Sequence, residues 1–136
     1  MPQDSAGCRS HCPINFVLET FGDRWTLLIV RDLMFKGKQT FGEFLASDER
    51  IATNILAERL RRLEESGIVV RATAEADRRR RTYQLTEKGR DLLKVMLEIT
   101  AWSARHDPFS NTPPTFLADF EKHRDAVIAK AAANLP

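Results

Sequence analysis

Four consecutive arginines, Arg78 to Arg81, put like charges side by side, an arrangement that is unfavourable unless an anion lies close by. Phosphate groups answer that need, because each arginine that neutralises one releases condensed counterions and makes binding salt-dependent. An arginine-bearing hairpin tip can also enter a narrow minor groove. The competing reading is a solvated run, with Arg78 paired to Asp77 and Arg80 to Glu75. Upstream, Thr53, Asn54, Ala57, Glu58 and Arg61 fall on one side of a helical period. Small and polar types of this kind read base edges. Asn54 suits the paired donor and acceptor of adenine, and Thr53 or Ala57 suits a thymine methyl. Glu58 can accept from cytosine, or simply pair with Arg61 or Arg62 along the helix. Thr40 and Arg50, in the turns before this helix, complete the candidate contact set.

A second group with chemical potential is Cys8, His11 and Cys12. Their spacing is ligand-like, but a closed zinc site needs a fourth donor, and His106 and His123 are remote in sequence. No cofactor or metal is therefore expected. A Cys8–Cys12 disulfide is geometrically accessible but disfavoured in a reducing cytosol. Cys12, just before a helix N-terminus, has the position for a lowered thiol pKa and ready access. It stands as a candidate sensor of oxidants or electrophiles, against the plainer reading of an incidental thiol. Catalysis finds no support: there is no glycine-rich phosphate loop or nucleophile elbow, and Gly37-Lys38 lacks the glycine that precedes a phosphate loop.

The elements that must position these residues follow from periodicity and punctuation. Pro13 opens a short helix to about Phe21, ended by Gly22. Asp23 caps a second, apolar almost all round from Trp25 to Phe35, which belongs at the domain centre with Trp25 in the core; Trp25 or Trp102 lining an intersubunit cavity is the alternative. Thr40 and Glu43 have capping-box spacing at the start of a short helix, 41–46. A long amphipathic helix, 52–66, carries its apolar stripe on Ile55, Leu56, Leu60 and Leu63 and ends at Gly67. Two strands are expected over 68–73 and 81–85, with 74–80 as the hairpin tip. Thr86 then caps one helix to about His106, and Thr112-Pro113 starts a last one to about Ala133.

Short helix, turn, long amphipathic helix and two-stranded hairpin, in that order, make a winged helix-turn-helix, a mostly α fold with a small β-hairpin wing. The charge distribution agrees. The chain of 136 residues has a net charge of only +2, yet residues 50–81 hold 9 basic and 5 acidic side chains. Positive charge is thus gathered on the putting-together of one helix and one hairpin, the pattern a phosphate-binding surface requires. The predicted organisation is an N-terminal arm over 1–12, a DNA-binding domain over 13–86 and dimerisation helices over 87–136. No run of apolar residues is long enough for a membrane span, and the first residues lack the order of a signal peptide, so a cytoplasmic protein is expected.

Particular motifs go further. Cys12-Pro13, Phe21-Gly22-Asp23-Arg24-Trp25-Thr26-Leu27-Leu28-Ile29, Gly37 with Thr40-Phe41-Gly42-Glu43-Phe44, Arg59-Leu60-Arg61-Arg62-Leu63-Glu64, Gly67-Ile68-Val69 and Tyr83-Gln84-Leu85-Thr86-Glu87-Lys88-Gly89 resemble the HxlR-type winged-helix regulators over about residues 12–103. The resemblance implies a homodimer, joined through the first helix and the C-terminal helices, that reads a palindromic operator on double-stranded DNA, by repression more often than activation. It also implies that an N-terminal cysteine, here Cys12, answers oxidants or electrophiles in some members; an oxidant or small-molecule effector is the corresponding expectation. Two departures stand out. Ala52 occupies the usual small-hydroxyl position at the start of the recognition helix, and the last helix is longer than the family leads one to expect. Surplus apolar surface on the C-terminal helices independently calls for a partner subunit, with Phe16, Met96, Ile99, Trp102, Phe116, Phe120 and Val127 as the expected interface. The reading from a different class is a winged-helix module that contacts protein rather than DNA; an apolar hairpin would suit it better than an arginine-rich one.

Overall fold

A computed structural model describes the backbone of residues 7–74 and 77–136, and the side chains of all of these except 73–80. Part of the expected N-terminal arm (1–6), the residues Glu75 and Ala76, and the side chains of Arg78, Arg79 and Arg80 lie outside the described residues. The order of elements is α1 (Pro13–Phe21), α2 (Thr26–Phe35), α3 (Phe41–Leu45), α4 (Thr53–Glu65), β1 (Val69–Ala74), β2 (Asp77–Leu85), α5 (Glu87–Arg90), α6 (Leu93–His106), α7 (Phe116–Lys122) and α8 (Arg124–Ala133). The two strands form an antiparallel hairpin. Fold and sequence agree on a mostly helical chain carrying a small wing.

The core is where the apolar periodicity places it. Ile29, Val30, Leu33 and Met34 of α2 pack with Phe44 of α3 and with Leu56, Leu60 and Leu63 of α4. Asp23 does the capping of α2, as its type predicts: Oδ1 accepts from the amides of Trp25 at 2.7 Å and Thr26 at 2.9 Å. Trp25 is half-buried at the domain edge rather than in the core proper. Thr40 and Glu43 form the expected capping box at α3. Gly67, at φ +75°, ends α4 in the left-handed conformation, from which the chain turns into β1.

Three boundaries differ from expectation. The arginine run lies within β2, not in a tip loop: Thr73 pairs with Arg81 and Ala74 with Asp77, so residues 78–80 form a bulge on the longer strand. The single helix expected from Thr86 to His106 is two, α5 and α6. The Thr86 hydroxyl caps α5 by accepting from Gly89 N and itself donates to the carbonyls of Gly67 and Ile68, while Lys88 Nζ donates to Ser66 O at 2.7 Å. These bonds pin the short helix to the α4–β1 turn, and the chain tightens at Leu92, whose amide bonds Gly89 O. The last helix breaks at His123 (φ −135°, ψ 48°). Arg124, next in sequence, lies 4.9 Å over the Phe120 ring and pairs with Glu98, folding α8 back so that both Phe120 and Val127 face the core.

Gly89 explains why the segment after the wing requires a glycine. A Cβ there would sit 2.3 Å from Ile68 O and 3.0 Å from Leu85 Cδ2, against backbone that cannot yield cheaply. Gly89→Ala is expected to destabilise the fold by about 2 kcal/mol. At Gly42, by contrast, an added Cβ meets nothing within 4 Å, so Gly42→Ala in α3 should be neutral or slightly stabilising. Urea midpoints of the two variants check the pair; equal midpoints would overturn the close-approach account.

Candidate DNA interface

The helix expected to read DNA is α4, and its two faces divide as its sequence requires. Leu56, Leu60 and Leu63 are fully buried, whereas Thr53, Asn54, Ala57 and Arg61 are exposed. Ala52 is the N-cap and offers no side-chain bond, so Thr53 opens the helix rather than capping it. The first-turn amides consequently remain without a side-chain acceptor, the condition under which a helix N-terminus receives an anion. Glu58 is half-buried and engaged along the helix, bonding Arg59 and, at 3.2 Å, Arg61; Arg61 also bonds Glu65 at 2.6 Å. The Thr40 hydroxyl is committed to its cap. Arg50 is exposed and holds φ +58°, its amide bonded to Ser47 O, in the turn that feeds α4.

Between α3, α4 and the wing lies a cleft of about 650 Å³, lined by Thr40, Phe41, Gly42, Ala57, Arg61, Glu64, Arg71, Arg81 and Tyr83. It brings Thr40, Ala57, Arg61 and Arg81 of the predicted contact set together, while Thr53, Asn54 and Arg50 stand outside it. Arg71 is the residue that sequence reasoning missed. It faces Tyr83 across the hairpin, and Arg81 is two residues from Tyr83 on the same strand face. Alternation therefore points Arg71 and Arg81 the same way, into the cleft. Arg71 Nε is 3.9 Å from Glu64 Oε1, both side chains being well exposed.

The wing is firmly seated. Tyr83 N donates to Gln39 O at 2.8 Å, and the Tyr83 and Phe44 rings meet edge to face at 6.1 Å. The recognition helix is tied to α2 by Arg59, whose Nε lies 3.3 Å from Asp23 Oδ1. Burial pushes the Asp23 carboxyl up, but the Thr26 hydroxyl, the amides of Trp25 and Thr26, and Arg59 outweigh it and hold the pKa at about 2. A second tether, Arg31 bridging Asp32 and Glu49, fixes the turn before α4.

A helix packed on one side and bare on the other, beside a basic cleft closed by a hairpin, matches what known proteins use. The HxlR-like helix-turn-helix family matches residues 20–110. The chain belongs to this family. An HTH-type transcriptional regulator of Mycobacterium tuberculosis H37Rv is 40% identical over 97 residues, which cover 71% of this chain and 60% of that protein. Among solved structures, reduced YodB from Bacillus subtilis superposes with a TM-score of 0.60 at 33% identity, covering 75% of this chain and 100% of YodB. The redox regulator HypR in its oxidised form superposes at 0.61 with 32% identity, over 70% and 97% of the two chains. YodB has also been solved with quinone bound. The chain accordingly has the winged helix-turn-helix fold of the HxlR-like family, and it spans less than two-thirds of the length of the mycobacterial relative.

The expected sensor and interface residues divide by burial. Cys12 is exposed and is the N-cap of α1; the amides of Asn15 and then Ile14 lower its thiol pKa. Cys8 is also a free thiol and donates to Ser10 O. Phe16 (66% exposed), Trp102 (63%) and Ile99 lie open, whereas Met96 and Phe120 sit in the core of the protomer. Phe116 and Val127 are half-buried against that core. Among the described residues, no helix is long and apolar enough to cross a membrane.

Proposed function

We propose that this regulator binds an inverted-repeat operator on double-stranded DNA as a homodimer in the cytoplasm, represses transcription from it, and is released by modification of Cys12. The observation that carries the DNA assignment is the exposed α4 face, Thr53, Asn54 and Ala57, flanked by a cleft whose cations Arg61 and Arg71 have, among the described residues, only exposed or partly exposed carboxylates as partners, with Arg81 beside them. Such exposed pairs exchange readily for phosphate. Arg50, exposed in the turn before α4, and the arginines 78–80 of β2 belong to the same proposed contact set, and Thr40 and Glu58 position it. The exposed apolar residues of α1 (Ile14, Phe16) and α6 (Ile99, Trp102) support dimerisation, since surface of that kind is costly in water. An accessible thiol at the start of α1, whose pKa the neighbouring backbone amides lower, supports a sensor, as do the redox regulator HypR and quinone-bound YodB among the structural relatives.

Mobility shift against fragments from the neighbourhood of its own gene tests the reading. Salt-sensitive binding with a dyad-symmetric footprint is expected, and Asn54→Ala should flatten base preference at one position per half-site by about 1–3 kcal/mol. Diamide or a quinone should release the wild-type complex and leave Cys12→Ser bound. Failure to bind any duplex at low salt would sink the DNA assignment; equal release of Cys12→Ser would sink the sensor.

A further inference from the structure

Behind the DNA-binding frame is a cavity of about 540 Å³ with a mainly apolar wall. Met34 and Phe35 from the end of α2, Leu97 from α6, Phe116 from α7, and Val127 and Ala131 from α8 form that wall. The volume falls within the range of about 300–1,000 Å³ common to small-molecule sites. Two of its walls, α7 and α8, lie beyond residues 20–110, so the cavity is built by the part of the chain that the family match does not reach. We propose that it is a binding site for a medium-sized apolar carboxylate, preferably aromatic, seated with its acid group at Lys130.

The charge of the ligand follows from the lining. Lys130 is the single cation among the described lining residues, and its ammonium has no ion pair or hydrogen bond to a described residue. The Thr100 hydroxyl is already committed to Met96 O at 2.8 Å. Asp119, the one anion of the lining, forms no ion pair with Lys130 and disfavours a second negative charge on a ligand. Phe35 and Phe116 are among the lining side chains, which favours an aromatic body. A second copy of the chain has a separate seat: the exposed Val95, Ile99 and Trp102 lie on the opposite side of α6 from Leu97 and Thr100.

The cavity is also placed to be felt at the interface. Phe35 is followed within a few residues by Gln39, whose carbonyl holds the wing through Tyr83 N, and by Thr40, which caps α3. A ligand that favours one setting of the α2 end therefore shifts the population of wing and recognition-helix positions. This regulatory consequence rests on the DNA-binding reading; the binding itself does not.

Calorimetry of the full chain without DNA, using 2-naphthoate and the neutral 2-naphthylmethanol, separates the two. Expected are saturable one-site binding of the acid, tighter than the alcohol, and a loss of about tenfold to a hundredfold for the acid alone in Lys130→Met. Ala131→Phe, filling the cavity, should abolish binding of both while its thermal melt stays cooperative. No heat with either compound, or equal affinity of Lys130→Met for the acid, would overturn the site. Dissociation of the dimer by Ala131→Phe in sedimentation would overturn it too, by giving the cavity to a partner subunit. If naphthoate binds and DNA affinity does not change, the site stands and only its coupling fails.

Discussion

Replacing Arg71 and Arg81 together by alanine should weaken binding to every duplex, specific or not, by about a hundredfold for each bound protomer near physiological salt, as two charge-assisted contacts of about 1.5 kcal/mol each imply. The same variant should lower the magnitude of the slope of log K against log salt by about 2 per bound protomer, because each lost phosphate contact leaves its counterions condensed. The reasoning is geometric. Both side chains issue from one face of the wing into the cleft beside α4, so a strand of the duplex lying along the helix passes both at once. Among the described residues neither has a strong partner to abandon: Arg71 has the exposed Glu64 at 3.9 Å, worth well under about 1 kcal/mol. The fold should not suffer, since the wing is held by Tyr83 and the buried Val69, not by these arginines. Asn54→Ala makes the complementary control, altering sequence preference while leaving the salt slope in place. Titrations at several salt concentrations on one operator and one unrelated fragment decide the matter. An unchanged slope in the double variant would remove the cleft from the contact surface.

The part of this interface that could be read from residue types is the part set by local rules. The spacing of Leu56, Leu60 and Leu63 orients α4 whatever surrounds it, and Thr40 with Glu43 starts α3 through bonds made within one turn. Arg71 escaped notice for a physical reason. Its direction depends on strand register, and register depends on the bulge at residues 78–80, which no local propensity announces. The same bulge moves the arginine run off the tip and into β2. The break at His123 was equally hidden, because Phe116, Phe120, Val127 and Ala131 keep one helical period straight across it. Only the contact of Arg124 with Phe120 and Glu98 distinguishes a bent pair of helices from a straight one, and that contact is tertiary. Likewise Met96 and Phe120 have the types of an interface, but the fold-back of α7 and α8 encloses them within one protomer. The open apolar surface is left to α1 and to the outer side of α6.

Asp32→Ala is expected to cost about 3 kcal/mol of stability, more than any exposed substitution in the domain, because it leaves charged neighbours of a buried group without their acceptor. Asp32 is 2% exposed at the centre of α2. Its Oδ1 accepts from Arg31 Nη2 at 2.8 Å, and its Oδ2 accepts from the Ser47 hydroxyl, which in turn accepts from Lys38 Nζ at 2.7 Å. Arg31 continues the chain outward to Glu49 through two bonds, 2.6 and 2.9 Å. The network therefore joins α2 to Ser47, Glu49 and the left-handed Arg50, the turn that sets the angle at which α4 leaves the core. Glu49→Gln should cost far less, since that carboxylate is partly exposed and solvent screens it. Its effect should depend on pH in a definite direction. Arg31 holds the Glu49 pKa at about 2, below its ordinary value of 4.5, so the pair contributes fully above that ordinary value and is lost as pH falls toward 2. Urea titrations at neutral pH and across the acid range should show wild type and Glu49→Gln converging as pH drops, with Asp32→Ala below both at neutral pH. If Asp32→Ala instead retained wild-type stability but lost DNA affinity, the network would serve to aim the recognition helix, not to hold the fold together.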